Sequence, residues 1–548
     1  MKPSQRSGCW LSALLILLLT IATVSAQRRE RTVDAWRPLH YDVTINFNDQ
    51  LSEITSARTA VDVLVLKDNV NKIDLDFGAL PIDSITLDGQ AVHYERRPEL
   101  LNVELPHAFK SGAKLVVTVT YHGRPQDGLV LATDRDGKPS ATGDNWPNRV
   151  HQWIPCLDHP SAKATVSFNV AVPQRDTVIA NGKFINVAGN AAVSLWRYEE
   201  TKAIPPYCMI IAVNEGAKLN ANEKSLTPLS YLIPQRDRSY AAKGFSPAAP
   251  AVSLFSETIA PYPYEKLALI IGATRYGGME NSSAIVFTST LFDPRPNEKM
   301  SARFGIPARI EEVVAHEIAH QWFGDSVTES TWADLWLSEG FATYFAGLFI
   351  EKYEGEEAFR AYMRKAAERY LAYEKQRRAP IHDTDTEDLN KLLNPNNYEK
   401  GAWVLHMLRR RLGDDVFFKG LRIYYQAYHE ANATTDDLRE ALEKASRQNL
   451  KDFFARWVYD SGHPTYEVQS EWSKLATGEI ALLVHVNQTQ PDNVFSDPIT
   501  VEVTSGGTKT RRTIQPTKKQ TTIRFSLTVP PTNVNLDPDE ELLKEVAK

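Results

Sequence analysis

Apolar and polar residues alternate along much of the first two hundred residues of the chain. Residues 41–47 follow this period of two, and the same spacing returns at 115–121 and 166–172. Such alternation indicates strands with one buried face, and turn-forming residues separate the runs. The pattern therefore predicts an antiparallel β domain over residues 27–222, with one long irregular stretch at 132–160.

Apolar residues recur with helical spacing from residue 251 onward. The run 266–272 is apolar and predicts a buried strand within this region. The predicted helices span 308–323, 333–351, 356–377, 398–412, 414–430 and 435–448. Period two returns after residue 465. We therefore expect a multidomain α+β protein: the β domain, a mainly helical domain at 223–464 and a small β-sandwich at 465–548.

Two histidines, His316 and His320, stand four residues apart in the first of the strongly helical segments. Side chains four apart lie on one face of a helix, so the two imidazoles can share one metal ion. Glu317 lies beside them, where it can reach a water on the metal without ligating the metal. Glu339 follows 19 residues after His320 and is the candidate third ligand. Catalytic zinc usually takes three protein ligands and one water, so the pattern predicts one zinc ion per chain.

The same segments have a purely structural interpretation. Two amphipathic core helices whose histidines are satisfied by hydrogen bonds would show similar periodicity, but the joint occurrence of both motifs disfavours it. Asp325 and Asp334 are possible orienters of the metal histidines, or else helix-end or surface acids.

Residues 1–26 have the features of a secretory signal peptide: a basic start, an apolar run and small residues before the expected cleavage site. The apolar run is shorter than the ~20 residues that a membrane-spanning helix needs. We therefore expect a mature chain beginning at Gln27, exported to the periplasm or the outside of the cell, with no stable membrane span. A retained anchor is the alternative.

The charges of the chain are interspersed, and the formal net charge is −6. Without a basic patch, nucleic acid is not an expected partner. Cys156 and Cys208 remain after the signal peptide; they could pair in an oxidising compartment or be two buried thiols. Nothing in the pattern specifies an oligomeric state.

Further motifs flank the histidine pair. A Gly-Gly-Met-Glu-Asn stretch occupies 277–281, an Asn-Tyr pair ends at Tyr398, and a Pro-Cys pair ends at Cys156. Together with the histidine motif and the glutamate beyond it, these resemble the aminopeptidase N family of gluzincin zinc aminopeptidases, along nearly the whole chain. The resemblance implies a saddle-like β domain, a thermolysin-like catalytic domain and a small β-sandwich, in a short form without the C-terminal helical domain of larger members.

The resemblance also implies roles for individual residues. Glu280 would bind the α-ammonium of a peptide with a free N-terminus, since a carboxylate one residue's length from the metal registers the first peptide bond. Glu317 would be the general base that acts on a zinc-activated water, and Tyr398 would donate to the oxyanion. The residues expected to line the substrate are Gly277, Gly278, Met279 and Asn281.

One position departs from the family. Members generally place a second Glu or Gln of the β domain some ten residues before the cysteine of the Pro-Cys pair. Trp146 stands there in this chain, with Asp144 and Gln152 as the nearby candidates.

Two other functions are open to these motifs. A zinc endopeptidase of the thermolysin type needs only the histidine motif and the third ligand, so Glu280 would be superfluous in it. A metal-free peptide-binding or adaptor module is disfavoured, because the three ligands, the general base and Tyr398 are all present.

Overall fold

A computed structural model describes residues 30–134, 136–220, 225–292, 309–491 and 493–547 of the chain. The expected signal peptide, residues 1–26, lies outside these ranges. Every helix within the described ranges is too short or too polar to traverse a bilayer.

The N-terminal domain is built on an eight-stranded sheet whose central strands bury alternate residues. In sheet order the strands are Lys183–Gly189, Val193–Ile204, Ala164–Pro173, Trp36–Phe47, Ile54–Val65, Lys114–Gly123, Ile82–Leu87 and Gln90–Ala91. The predicted strands are therefore present. The pairing is antiparallel except between Trp36–Phe47 and Ala164–Pro173, which run parallel. The sequence predicts only antiparallel pairing, but the long segment that joins these two strands contains strands of this sheet and of the two smaller sheets, and such a connection allows parallel pairing.

Two smaller sheets complete this domain. Their strands are Thr177–Ala180, Ile211–Asn214, Pro139–Gly143 and Leu129–Thr133 in one, and Val70–Asp76, Leu100–Phe109 and Tyr94–Arg97 in the other. The strand Pro139–Gly143 corrects the prediction of an irregular stretch over 132–160. Nearly all of its residues are buried, whichever way they point, so it lacks the alternation that marks a half-exposed strand.

The second domain contains a five-stranded sheet with the order Ala217–Asn220, Leu229–Ile233, Leu267–Gly272, Ala284–Thr288 and Gly278–Met279. The buried strand predicted at 266–272 is present. The sheet begins at Ala217, before the predicted domain boundary at 222, because Ala217–Asn220 pairs with Leu229–Ile233. Gly278–Met279 is an edge strand and lies against the helix that carries the histidine pair.

The described helices of this domain are Arg238–Gly244, Ala248–Thr258, Ile310–His320, Trp336–Glu354, Glu356–Glu374, Gly401–Leu412, Asp414–Tyr428, Thr435–Ser446 and Lys451–Trp457. The six predicted helices are all present, and their ends agree within three residues. A π-helical turn, Asn396–Lys400, precedes Gly401–Leu412 where the sequence predicts ordinary helix from 398.

Short 3₁₀ turns of both domains occupy Val150–Gln152, Pro206–Cys208, Gln235–Asp237, Ser289–Phe292, Trp332–Asp334 and Leu389–Leu392. Val327–Glu329 and Ala431–Ala433 form a small parallel pair.

The C-terminal region forms two sheets. Their strands are Gln520–Leu527, Ile480–Gln488, Thr465–Lys474 and Glu545–Val546 in one, and Thr508–Ile514, Ile499–Ser505 and Pro531–Leu536 in the other. Apolar residues of both sheets join the same core cluster as the helices of the second domain, whereas most of the N-terminal domain has a core of its own.

Polar contacts from the N-terminal domain reach two segments of the second domain. Lys163 Nζ donates to Ser326 O at 2.7 Å and to Ala431 O at 3.1 Å.

Cys156 and Cys208 are both buried free thiols, so the alternative of a disulfide between them is not realised.

Candidate active site

Two helices bring the three predicted metal ligands together. His316 and His320 lie toward the end of Ile310–His320, and Glu339 lies in the first turn of Trp336–Glu354. The Nε2 atoms of the histidines are 3.0 Å apart, and Glu339 Oε2 lies 3.2 Å from His316 Nε2 and 3.3 Å from His320 Nε2. A tetrahedral zinc ion with bonds of ~2.0–2.1 Å places its ligand atoms roughly 3.3 Å apart. The donor set therefore fits one zinc ion.

Contacts on their far sides orient both imidazoles. His320 Nδ1 lies 3.2 Å from Phe323 O and 3.0 Å from Ser338 Oγ, which leaves Nε2 facing the metal centre. The His316 ring stacks on Tyr398 with centroids 5.9 Å apart and ring planes 2° from parallel. Partners of this kind fix the orientation of a metal-ligating imidazole and increase metal affinity.

Asp325 and Asp334, the acids considered from the sequence as orienters, make other contacts. Asp325 accepts from Gln321 Nε2 at 2.8 Å, and Asp334 accepts from a threonine of a neighbouring helix at 2.7 Å. Both are buried, so they are not surface acids, but Asp334 ends the turn Trp332–Asp334 and Asp325 follows the histidine helix, as the helix-end alternative expects. A backbone carbonyl and Ser338 orient His320 instead. The only sequence signal for Ser338 is its place directly before Glu339.

The edge strand Gly278–Met279 packs against the helix that carries His316 and His320. A Cβ atom at Gly278 would lie 2.3 Å from Glu317 Oε1, so the Glu317 carboxylate rests on bare backbone. Glu280 follows the strand directly, and carboxylate oxygens of Glu280 and Glu317 lie with a ring nitrogen of His320 within 4.8 Å of one another. The predicted base, the predicted amine ligand and the metal centre therefore share one buried site.

The site holds an excess of acidic groups. Burial raises the pKa of Glu280 to about 7 and the pKa of Glu317 well above its usual range. Burial also opposes ionisation of Glu339, but His320 and His316 outweigh it and hold that pKa well below its usual range. Burial disfavours charge on His320, yet Glu280 and Glu339 raise its pKa to about 10. Three carboxylates facing two imidazoles suit cationic guests, namely a divalent metal and an ammonium group.

Tyr398 lies in the π-helical turn beside His316. Burial raises its pKa well above the usual range, and Glu339 acts in the same direction, so the hydroxyl keeps its proton. Gly340 and Gly401 are in backbone contact, since a Cβ atom at either would come within 3.0 Å of the other. This contact brings the helix that carries Glu339 against the turn that carries Tyr398.

The other predicted substrate contacts lie along the same edge strand. Met279 is buried, and the Gly277 carbonyl accepts from Thr288 N at 3.1 Å. Asn281 is also buried, and its Nδ2 donates to Met279 O at 3.3 Å, so its amide braces the turn. Substrate binding by these residues stays a prediction.

Trp146 occupies the position at which the family resemblance implies a second acidic or amide group. Its ring is buried and makes edge contacts with Tyr276 at 6.1 Å and with Trp332 at 5.6 Å between centroids. Asp144 is held by an arginine at 3.0 Å, and Gln152 donates to an exposed glutamate at 2.5 Å. Asp144 is not one of the carboxylates gathered around His320, although its charge contributes to the raised pKa of Glu280.

Comparisons with known proteins agree with this arrangement. Residues 37–208 match the model of the peptidase M1 N-terminal domain, and residues 248–457 match that of the peptidase family M1 domain. Similar proteins include a probable aminopeptidase 1 of Sulfurisphaera tokodaii, which is 26% identical over 91% of this chain and 62% of its own length. A leucyl aminopeptidase of Saccharolobus solfataricus is 25% identical over 84% of this chain and 58% of its own length. The tricorn protease-interacting factor F2 of Thermoplasma acidophilum shows the same identity and the same two coverages.

The chain spans 58–62% of the length of these relatives. The two matched stretches cover most of the N-terminal domain and most of the helical domain, and the second contains the histidine pair and Glu339. On these grounds the protein belongs to peptidase family M1.

Proposed function

We propose that this chain is an exported zinc-dependent aminopeptidase that hydrolyses the first peptide bond of peptides with a free N-terminus. The observation that carries the proposal is the position of Glu280. Its carboxylate is buried beside Glu317 and His320, where a second acid is unfavourable unless a cation balances it. The α-ammonium of a substrate supplies that cation. The names of the relatives agree with this activity.

Each residue of the site has a separate role in the reaction. A zinc ion on His316, His320 and Glu339 would supply Lewis-acid activation of a water and of the scissile carbonyl. Glu317 takes a proton from the attacking water and later delivers it to the leaving amine. Tyr398 donates its hydroxyl hydrogen to the oxyanion that forms at the carbonyl.

Glu280 sets which bond is cut. It accepts hydrogen bonds from the substrate ammonium, and one residue spans only about 3.3–3.6 Å, so the first carbonyl reaches the metal centre. A longer segment ahead of the scissile bond would need the volume that the Glu280 carboxylate occupies. The edge strand Gly278–Met279 pairs with Ala284–Thr288 on one side only, and such an edge suits an extended peptide.

The test compares an alanyl reporter substrate with its N-acetylated form. We expect the zinc-loaded enzyme to cleave only the free amine, and a chelator to abolish the activity. Glu317→Gln should lower kcat by about 10²-fold or more with zinc content unchanged. Glu280→Ala should lower kcat/KM at least about tenfold, because a charged hydrogen bond is lost.

Glu311→Gln is the matched control, since Glu311 lies on the same helix as Glu317 but is half-exposed. It should leave both kcat and zinc content unchanged. Equal cleavage of the free and acetylated substrates would refute an aminopeptidase and favour an endopeptidase. A protein that retains no zinc and binds peptides without cutting them would favour an adaptor.

The domain plan supports the same proposal. We infer that the N-terminal domain is the saddle, that the second domain is thermolysin-like, and that the two C-terminal sheets form a β-sandwich that supports the helices. Ion pairs from Arg364 to Glu540 at 2.9 Å and from Arg410 to Glu541 at 2.6 Å join those helices to the C-terminal region. Export through residues 1–26 is tested by N-terminal sequencing of protein recovered outside the cytoplasm, which should begin at Gln27.

A further inference from the structure

Gln321, directly after the second metal histidine, is fully buried and its amide group is saturated with hydrogen bonds. Its Nε2 donates to Glu280 O at 2.7 Å and to Asp325 Oδ2 at 2.8 Å. Its Oε1 accepts from Ser283 N at 2.8 Å and from Tyr262 OH at 2.9 Å. The orientation of the amide is unambiguous, because a backbone carbonyl must meet a donor and a backbone N–H must meet an acceptor.

Two of these bonds hold the loop that carries Glu280. Glu280 O and Ser283 N are three residues apart on that loop, and a single side chain from the metal-ligand helix binds both. Ser283 has a left-handed backbone with φ +63°, which is costly for a residue other than glycine. Lys266 Nζ donates to Ser283 O at 2.8 Å, and Gly182 N donates to Ser283 Oγ at 2.7 Å. The surroundings therefore fix this turn in one conformation.

We propose that Gln321 is a positioning residue that sets the distance between the Glu280 carboxylate and the metal ligands. This inference rests on the proposed function, in which Glu280 binds the substrate ammonium. Gln321 follows His320 on the chain, so it moves with the metal ligand and carries the Glu280 loop with it. In a substrate, the distance between the ammonium nitrogen and the first carbonyl is fixed, so the distance between Glu280 and the metal ligands has to match it. A misplacement of about 1 Å at such a site costs ~10²-fold in rate.

Loss of the amide should affect the ammonium site selectively. In Gln321→Met the side chain keeps its approximate volume, but Glu280 O, Ser283 N and the Asp325 carboxylate lose a buried partner. Buried polar groups without a hydrogen-bond partner are unfavourable, so the loop that carries Glu280 should move until these groups contact other partners or water. His320 keeps its own contacts, Phe323 O and Ser338 Oγ, so the metal ligands stay in place.

The experiment measures calorimetric binding of two zinc-directed probes to the zinc-loaded enzyme. Alanine hydroxamate carries an α-ammonium, and propanohydroxamic acid lacks it. We expect Gln321→Met to weaken binding of alanine hydroxamate at least about tenfold and binding of propanohydroxamic acid by less than about twofold. In a Glu280→Ala background, Gln321→Met should weaken alanine hydroxamate by less than about threefold further, because the group through which it acts is gone.

Gln488 offers a matched control in the C-terminal sheets. Its amide is also buried, donates to Phe495 O at 2.7 Å and accepts from Phe495 N at 2.9 Å and from Gln490 Nε2 at 2.8 Å. Gln488→Met removes a comparable set of buried bonds far from the metal ligands. It should leave the binding of both probes within about twofold of the wild type.

Three results would overturn the inference: equal weakening of both probes by Gln321→Met, no weakening of either, or the same loss with and without Glu280. Failure of the proposed function looks different, because Glu280→Ala alone would then leave the affinity for alanine hydroxamate unchanged. If Gln321→Met does not fold with one zinc ion, Tyr262→Phe replaces it and removes the hydroxyl that donates to the Gln321 amide and to Lys266 O. The same selective weakening, smaller in size, is expected, and equal binding of both probes to Tyr262→Phe and wild type counts against the inference.

Discussion

A single methyl group at Gly278 should displace the Glu317 carboxylate. The Cβ atom of Gly278→Ala would lie 2.3 Å from Glu317 Oε1, 2.4 Å from Cδ and 2.5 Å from Cγ, whereas ordinary contact begins at 3.4 Å. Gly278 is paired to Phe287 in the sheet and has little freedom to retreat. The carboxylate must therefore shift by roughly 1 Å.

The expected size of the effect follows from that shift. A misplacement of about 1 Å in a reacting group costs ~10²-fold, and a general base as a whole contributes ~10²–10⁴-fold. We expect Gly278→Ala to lower kcat/KM for an alanyl reporter by about 10²-fold. Zinc content should stay at one ion per chain, because Glu317 is not one of the three ligands.

Glu311→Gln again provides the control, since Glu311 lies on the same helix as Glu317, is half-exposed and is not among the expected substrate contacts. It should keep kcat/KM within about twofold of the wild type. The assay is initial-rate hydrolysis of an alanyl reporter, with zinc measured by elemental analysis of the same samples. Equal activity in the two variants, or a loss of zinc that explains the loss of rate, would show that Gly278 does not act through Glu317.

Three further predictions concern the metal and the stability of the fold. Ser338→Ala removes the hydroxyl 3.0 Å from His320 Nδ1 and should lower zinc affinity about tenfold in competition with a chelator; unchanged affinity would assign the orienting role to the backbone carbonyl alone. Burial opposes charge on His151, but Asp158 raises its pKa to about 9 from 6.5, so its stabilisation is complete below pH 6.5 and disappears as the pH rises through 9. His151→Asn should therefore lower the free energy of unfolding by up to about 3 kcal/mol at pH 6 and much less at pH 10, and a pH-independent loss in urea titrations would contradict this. Burial raises the pKa of Glu329 well above its usual range, so this carboxyl lowers the stability of the folded protein as the pH rises above about 4.3. Glu329→Gln should therefore raise the thermal midpoint by about 3 °C or more at pH 7.5 and by less at pH 4.5. A lowered midpoint would contradict this reasoning.

The convergence of the three proposed metal ligands could be predicted from the sequence because helix geometry brings them together. Residues four apart on a helix share a face whatever surrounds the helix, so His316 and His320 needed no tertiary information. The helix boundaries agree within three residues for the same reason, since the 3.6-residue period is a local property. Glu339 could be predicted to lie near the histidines because its helix follows theirs after a short connection.

The groups that support the ligands could not be predicted in this way. Ser338 and Gln321 act through hydrogen bonds to atoms on other elements, and such bonds depend on how the elements pack. The sequence shows only that a polar residue precedes Glu339 and that another follows His320, and polar residues are equally typical of surface positions. The parallel pairing of Trp36–Phe47 with Ala164–Pro173 was missed for a related reason, because strand periodicity carries no information about strand direction.

The buried, unpaired state of Cys156 and Cys208 has a practical consequence. In the part of the chain that the structure describes, no covalent bridge has to form before the two domains assemble. Folding of these ranges requires no disulfide oxidant and no disulfide isomerase. Reagents that label accessible thiols should react with neither sulfur atom in the folded protein. Cys156 lies in the core of the N-terminal domain, so its labelling rate measures the opening of that domain.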